Sequence, residues 1–196
     1  MGGMSEGAVK VSKARDKILA TATRIFYAEG VNAVGIDRVI AEAGVTRATL
    51  YRHFPSKQKL ITTYVEEADR AVRGRVAALS ESGLPPASVL RSIAEDIVGN
   101  IRFSHFRGCA FLNAAAEFPD PGDPVHKAVL AHRAWFFGVI LDLFAQVGGD
   151  SNEDAARQFV MLRDGAMAAG CLSDPAEVCR TFLQGVEALL PEVLLG

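Results

Sequence analysis

The sequence predicts an all-α fold of about nine helices, in which an N-terminal three-helix head carrying a helix-turn-helix precedes a helical bundle. Two observations predict it. Apolar residues recur at three- and four-residue spacing along most of the chain, and no segment keeps the strict alternation of a half-buried strand for long. Gly, Pro and capping residues interrupt that spacing at intervals suited to helices. The composition agrees: of 196 residues, 49% are hydrophobic and 22% charged, which excludes a disordered or fibrous chain.

The elements follow in order. Lys13–Glu29 reads as a first helix, with Ile18, Ala22, Ile25 and Phe26 on one apolar stripe and Gly30 as its stop. Ile36–Ala43 is a short second helix ended by Gly44. Thr46 can N-cap a third that runs to about His53. Pro55 ends it, and Ser56 can N-cap a long fourth from Lys57 to about Leu79. Gly83-Leu84-Pro85-Pro86 breaks the pattern. Further helices are expected at Ala87–Phe103, Cys109–Phe118, Pro124–Val147, Glu153–Ala169 and Pro175–Leu190. Arg107-Gly108, the Pro119–Asp123 stretch, Gly148-Gly149-Asp150 and Ser173-Asp174 separate them.

Charge is unevenly divided. Residues 1–60 hold ten Lys/Arg and five Asp/Glu, a net of +5; residues 61–196 hold eleven and eighteen, a net of −7. A basic head on an acidic body suits a chain whose first portion meets a polyanion. No uninterrupted apolar run reaches the roughly 18–20 residues that span a bilayer. Residues 1–12 lack the apolar core and cleavage pattern of a signal peptide. Glu6 stands where N-myristoylation needs Ser or Thr, so Gly2 is a poor acylation candidate, and the Gly-rich start is expected to be a mobile tail. Cys109, Cys171 and Cys179 are odd in number and form no CxxC, as expected of free thiols in the cytoplasm, with a redox-sensing thiol as the alternative. No cofactor, metal or membrane partner is expected.

The segment Ile36–Phe54 carries the function. Two short helices flank a Gly-containing turn, with Ile36, Val39, Ile40, Ala43, Val45, Leu50 and Phe54 at inward positions. Thr46, Arg47, Ala48, Thr49, Tyr51, Arg52 and His53 are left for the other faces of the third helix. They offer donors for phosphates and base edges and a methyl contact, the mix a helix in the major groove needs.

With these residues the stretch from Gly30 to Leu60 resembles the DNA-binding signature of TetR-family repressors. The most specific string runs from Gly44 through Val45-Thr46-Arg47-Ala48-Thr49-Leu50-Tyr51-Arg52-His53-Phe54-Pro55-Ser56 to Lys57. The resemblance is close over residues 11–60 and architectural beyond them. It implies a DNA-binding domain at 11–57 and a ligand-binding and dimerisation domain at 58–196. It implies that Arg47 and Ala48 face base edges, that Thr49 contacts a base or phosphate, and that Tyr51 and His53 bind phosphate. Arg52 takes a phosphate or a guanine, and Thr46 combines capping with a phosphate contact. Lys57 adds a cation at a helix N-terminus, where the dipole already favours an anion. One position departs: Val34-Gly35 stands where the family often has a Thr or Ser pair. Only backbone N–H groups can then serve there, with Gly35 allowing close approach.

The resemblance further implies a homodimer on a palindromic double-stranded operator and release by a small apolar effector. Dimerisation is expected through the last two helices. There Gly165, Ala166, Ala168, Ala169 and Gly185 permit close approach, and Met161 and Leu162 supply apolar surface. Filling the monomer's own core is the alternative. The middle helices are rich in aromatics, among them Phe103, Phe106, Phe111, Phe118, Trp135, Phe136 and Phe137, with sparse polar groups between them. An apolar cavity with few polar anchors is how small-molecule sites are built. Phe111, Asn113, Glu117, Trp135 and Phe136 are the expected lining, and a dry core is the alternative. An enzyme is not expected. Cys109, His132 and Asp164 make a nucleophile triad only on paper, at separations that fit no local signature. No GxSxG, Walker loop, GxGxxG or HExxH is present.

Overall fold

The computed structural model describes residues 13–148 and 152–190. The expected tail, with Gly2, and the loop residues Gly149 and Asp150 lie outside the described residues. Among the described residues there are nine helices and no strand. Contacts divide the chain into two units, 1–64 and 65–196.

In the first unit α1 (Lys13–Glu29), α2 (Ile36–Ala43) and α3 (Arg47–His53) pack on one another. The α1 stripe is buried as its spacing requires: Ile18, Ala22 and Ile25 are fully enclosed, with Phe26 nearly so. Val39 and Ala43 of α2, Leu50 of α3 and the following Phe54 complete the core. Ile36, Ile40 and Val45, also expected inward, are half-buried. Gly44 takes φ +58°, a left-handed conformation that a residue with a Cβ adopts only under strain. Its N–H donates to the Ala41 carbonyl and that of Val45 to the Ile40 carbonyl, which turns the chain directly into α3.

The fourth helix, α4 (Lys57–Ser80), is capped by Ser56, whose Oγ accepts from the Lys59 N–H at 3.0 Å. Its residues 57–64 belong to the first unit and 65–80 to the second.

The second unit adds α5 (Pro86–Ile101), α6 (Ala110–Glu117), α7 (Pro124–Val147), α8 (Asn152–Ala169) and α9 (Pro175–Leu189). Pro86, Pro124 and Pro175 begin their helices, where a missing N–H costs nothing, and the Asp123 and Asp174 carboxylates cap the last two. α7 packs on α5, α6 and α8, and α9 on α5 and α8. Ile93, Ile97, Ile140, Phe144, Phe159, Phe182 and Val186 meet in the shared core. α7 is long and apolar enough to cross a membrane by length and composition. In this fold it is the central bundle helix, with Val125, Val129, His132, Phe136, Ile140 and Phe144 on its buried side.

The end of α5 corrects the sequence expectation. α5 was expected to reach Phe103 but stops at Ile101, and Phe103, expected among the cavity aromatics, is 62% exposed. Gly170, past the end of α8, is a close-approach glycine: a Cβ there would lie 2.8 Å from Ile101 Cγ2. The missing side chain lets the α8–α9 turn lie close to the end of α5.

Candidate nucleic-acid interface and effector cavity

The third helix presents the expected residues because its interior side is pinned at both ends. Leu50 is fully buried, Phe54 lies under the Arg15 guanidinium at 5.5 Å, and Thr46 Oγ1 accepts from the Thr49 N–H at 3.1 Å. Gly35, Thr46, Arg47, Ala48, Tyr51 and Arg52 are exposed, while Thr49, His53 and Lys57 are half-buried. None of the nine is enclosed. Gly35 is the N-cap of α2 with φ −75°, and a Cβ added to it would meet nothing within 4 Å. Glycine at this position is therefore not demanded by the head's own packing.

The cations differ in how free they are. Arg47 pairs with Asp37 on α2, and both side chains are mostly exposed, so the pair opens at little cost. Lys57 Nζ donates to the Asn32 carbonyl at 3.4 Å. Arg24 and Arg38 are engaged by Glu42, and Arg38 also by Glu29. Those hydrogen bonds hold the Glu42 carboxyl below its ordinary range and raise Arg38. The spacing did not single out Asp37, a carboxylate within reach of the foremost base-reading candidate.

In the body, Phe111 lies flat on the His132 ring at 3.5 Å between centroids and 5° between planes. Trp135 and Phe136 flank the same imidazole at 5.8 and 6.3 Å. Three of the five expected lining residues thus converge. Asn113 is exposed and donates to the Arg107 carbonyl at 2.9 Å, and Glu117 is half-buried at the end of α6. The space between these groups is nearly filled: His132, Arg133, Phe136, Val160 and Arg163 line a cavity of about 10 Å³.

The polar groups of this cluster were not singled out as lining residues. His132 Nδ1 lies 2.8 Å from Asp69 Oδ1, and Arg73 Nε donates to Asp69 Oδ2 at 2.6 Å. Burial opposes ionisation of Asp69, but the hydrogen bonds from Arg73 and His132 outweigh it and hold its pKa low. Burial also pushes the His132 pKa down, more than Asp69 raises it, so the ring is neutral near pH 7. A signal was available: His132 continues the Val125–Val129 stripe, and Arg163 continues Phe159 toward Ala166 at helical spacing. The paper triad is not assembled. His132 bonds Asp69, Asp164 pairs with Arg133 and Arg163, and Cys109 Sγ accepts from Arg163 at 3.4 Å.

A further apolar surface lies on α8 and α9. Met161, Leu162, Gly165, Ala169, Val178 and Gly185 are among the residues lining an open groove of about 860 Å³.

Residues 18–63 match the family model of bacterial regulatory proteins, tetR family. The crystal structure of a TetR-family transcriptional regulator from Streptomyces coelicolor is 58% identical, with a TM-score of 0.88, over 90% of this chain and 93% of that one. The chain belongs to the TetR family. The HTH-type transcriptional regulator LmrA of Bacillus subtilis strain 168 is 26% identical over 185 residues, which are 92% of this chain and 96% of that protein. A TetR transcriptional regulator from Legionella pneumophila shares the fold at 16% identity, with a TM-score of 0.83 over 93% of this chain and all of that one.

This TetR-family protein is a DNA-binding transcriptional regulator. Its third helix, α3, has only seven residues and is N-capped by Thr46. Thr46→Ala is expected to destabilise the head by about 1 kcal/mol, the usual value of a lost N-cap. Urea unfolding with and without the substitution measures this.

Proposed function

We propose that this regulator is a homodimeric repressor that holds a palindromic operator through Thr46–His53 and Lys57, with backbone contact at Gly35, and releases it when a small ligand occupies the body. The supporting observation for the DNA-contact residues is the outward set on α3, available to a groove while Leu50 and Phe54 anchor the helix. Arg47 and Ala48 read base edges, Thr49 and Arg52 reach a base or a phosphate, and Tyr51, His53 and Lys57 position the backbone.

Dimerisation uses α8 and α9. The groove there is apolar and rich in small residues, and Met161 is 73% exposed on its rim. Two recognition helices must fall about 34 Å apart, or a near multiple, on one face of the duplex. The effector occupies the Phe111, Trp135 and Phe136 side of the bundle, with Asn113 and Glu117 toward its entrance. Asp69 and Arg73, which hold His132 and stack on Trp135, lie on α4, the helix that begins with Lys57. A ligand that favours one setting of these contacts biases α4 and through it the DNA-binding state. The regulator acts in the cytoplasm, where its operator lies.

Footprinting upstream of the regulator's own reading frame tests this. The expected result is a symmetric protected site with half-site centres about one helical turn apart. Tyr51→Ala and Lys57→Ala are expected to weaken binding to that site and to random DNA alike; Lys57→Ala lowers the salt slope by about one, while Tyr51→Ala, which removes no charge, leaves it nearly unchanged. Sequence-blind binding would instead indicate an architectural protein, and absence of DNA binding would sink the proposal.

A further inference from the structure

The imidazole of His132 is half satisfied. It is 2% exposed, its Nδ1 is committed to Asp69, and its Nε2 is buried with no hydrogen-bond partner among the described residues. Such orphaned atoms are rare in folded proteins and ask for an occupant. With Asp69 ionised, Nδ1 carries the proton, and Nε2 of the neutral ring is a bare acceptor. Arg163, 7% exposed, lines the same cavity. One of its nitrogens donates to Asp164 at 2.7 Å and another to the Cys109 sulfur at 3.4 Å, a weak acceptor for a guanidinium. Arg133 pairs with the other Asp164 oxygen at 2.7 Å, and Arg73 is shared between Asp69 and the Trp135 face at 4.2 Å. Three guanidiniums thus face two carboxylates around a neutral ring, an excess of one positive charge.

We propose that His132 Nε2 and the Arg163 guanidinium form a head-group subsite of the effector cavity, and that the effector is a small aromatic compound whose acidic oxygen, a carboxylic acid or a phenol, sits between them. This rests on the reading that the body binds an effector. An apolar ligand leaves Nε2 orphaned, and an amine meets the excess positive charge. An acidic oxygen answers both groups: it accepts from Arg163 and shares or gives a proton to Nε2. A carboxylate arrives without its proton, so the ring takes one from solvent. The resulting imidazolium donates from Nε2 to the ligand and from Nδ1 to Asp69. A phenol brings its own proton, which passes to or is shared with Nε2 with no net uptake. The aromatic part follows from the walls, where Phe111, Trp135 and Phe136 surround the imidazole. At about 10 Å³ the cavity admits no more than a water, so the ligand ring enters by displacing Phe111, which is held there by a ring stack and not by an ion pair.

The test uses the full chain and its single tryptophan, Trp135, 5.8 Å from the His132 ring. Benzoate, methyl benzoate, phenol and anisole are titrated by Trp135 fluorescence and by calorimetry in two buffers of different ionisation heat at about pH 7.5, well above the lowered pKa of His132. Benzoate is expected to bind at least about tenfold more tightly than methyl benzoate, and phenol than anisole, as for a gained charge-assisted hydrogen bond. Benzoate is expected to draw in about one proton and phenol none. His132→Phe keeps a ring against Phe111 and is expected to abolish the uptake and to reduce the preference to the share that Arg163 carries. Should that variant not fold, the proton count on the unmodified protein still decides. Equal affinity for acid and ester, benzoate binding without proton uptake, or no response to any of the four overturns the subsite. Benzoate binding that leaves the operator complex intact in a gel shift overturns the release mechanism and leaves the subsite standing. Operator release by methyl benzoate and anisole as readily as by benzoate and phenol does the reverse.

Discussion

Met161→Glu is expected to yield a monomer at micromolar concentration and to lower operator affinity by more than about a hundredfold, the consequence of an unpaired charge that costs about 3–5 kcal/mol when enclosed. Met161 is 73% exposed and touches the α8–α9 groove, so a carboxylate there is solvated in the isolated chain and the fold is undisturbed. In a two-fold interface every residue occurs twice, and both glutamates would be desolvated together. The neighbouring residues are poorly equipped to compensate. No Lys or Arg lines the groove to pair with the new charge; its polar lining is the neutral Gln158, Ser173 and Thr181 and the acidic Glu177, and the Gly185 position is closely packed, a Cβ there lying 3.0 Å from Leu162 Cδ1. Sedimentation gives the oligomeric state, far-ultraviolet dichroism the helical content, and anisotropy the operator affinity. A variant that stays dimeric and binds the operator normally would move the interface elsewhere.

The head was legible because its punctuation is local. Gly30, Gly44, Thr46 and Ser56 end or cap helices through bonds within a few residues, and α1, α2 and α3 fall where those residues put them. The family string implied a role for the outward faces of α3, and that step needed no tertiary information. The end of α5 was less legible, because apolar spacing continues through Phe103 although the helix stops at Ile101. What ends it is the turn in which the Phe103 N–H donates to the Asn100 carbonyl and that of Phe106 to the Phe103 carbonyl. The body cluster was the hardest to read. His132 meets Asp69 across 63 positions and Arg163 meets Cys109 across 54, pairings set by how the bundle helices slide past one another. Spacing shows that His132 and Arg163 lie on buried stripes. It does not say which carboxylate or thiol each will find, and so the aromatics and His132, Arg133 and Asp164 were legible as a set while their partners Asp69, Arg73 and Arg163 were not.

Arg47→Ala is expected to cost about 1–3 kcal/mol at one operator base pair, roughly five- to 150-fold, while changing affinity for random DNA far less. Arg47 is the first residue of α3, the end that the proposed function puts in the major groove, and its side chain is exposed. Before DNA binds, the guanidinium is held by Asp37, so reading a base means exchanging that carboxylate for a base edge. The exchange makes a second variant informative. Asp37→Asn removes the competing partner and a negative charge beside the phosphates. It is expected to raise affinity for operator and random DNA together, without altering which bases are preferred. The two substitutions therefore separate specificity from electrostatics at one ion pair. Anisotropy at fixed salt, with every single-base variant of the half-site, measures both. If the ranking of bases is the same in Arg47→Ala as in the unmodified protein, Arg47 contacts only the backbone, and base reading passes to Ala48, Thr49 and Arg52.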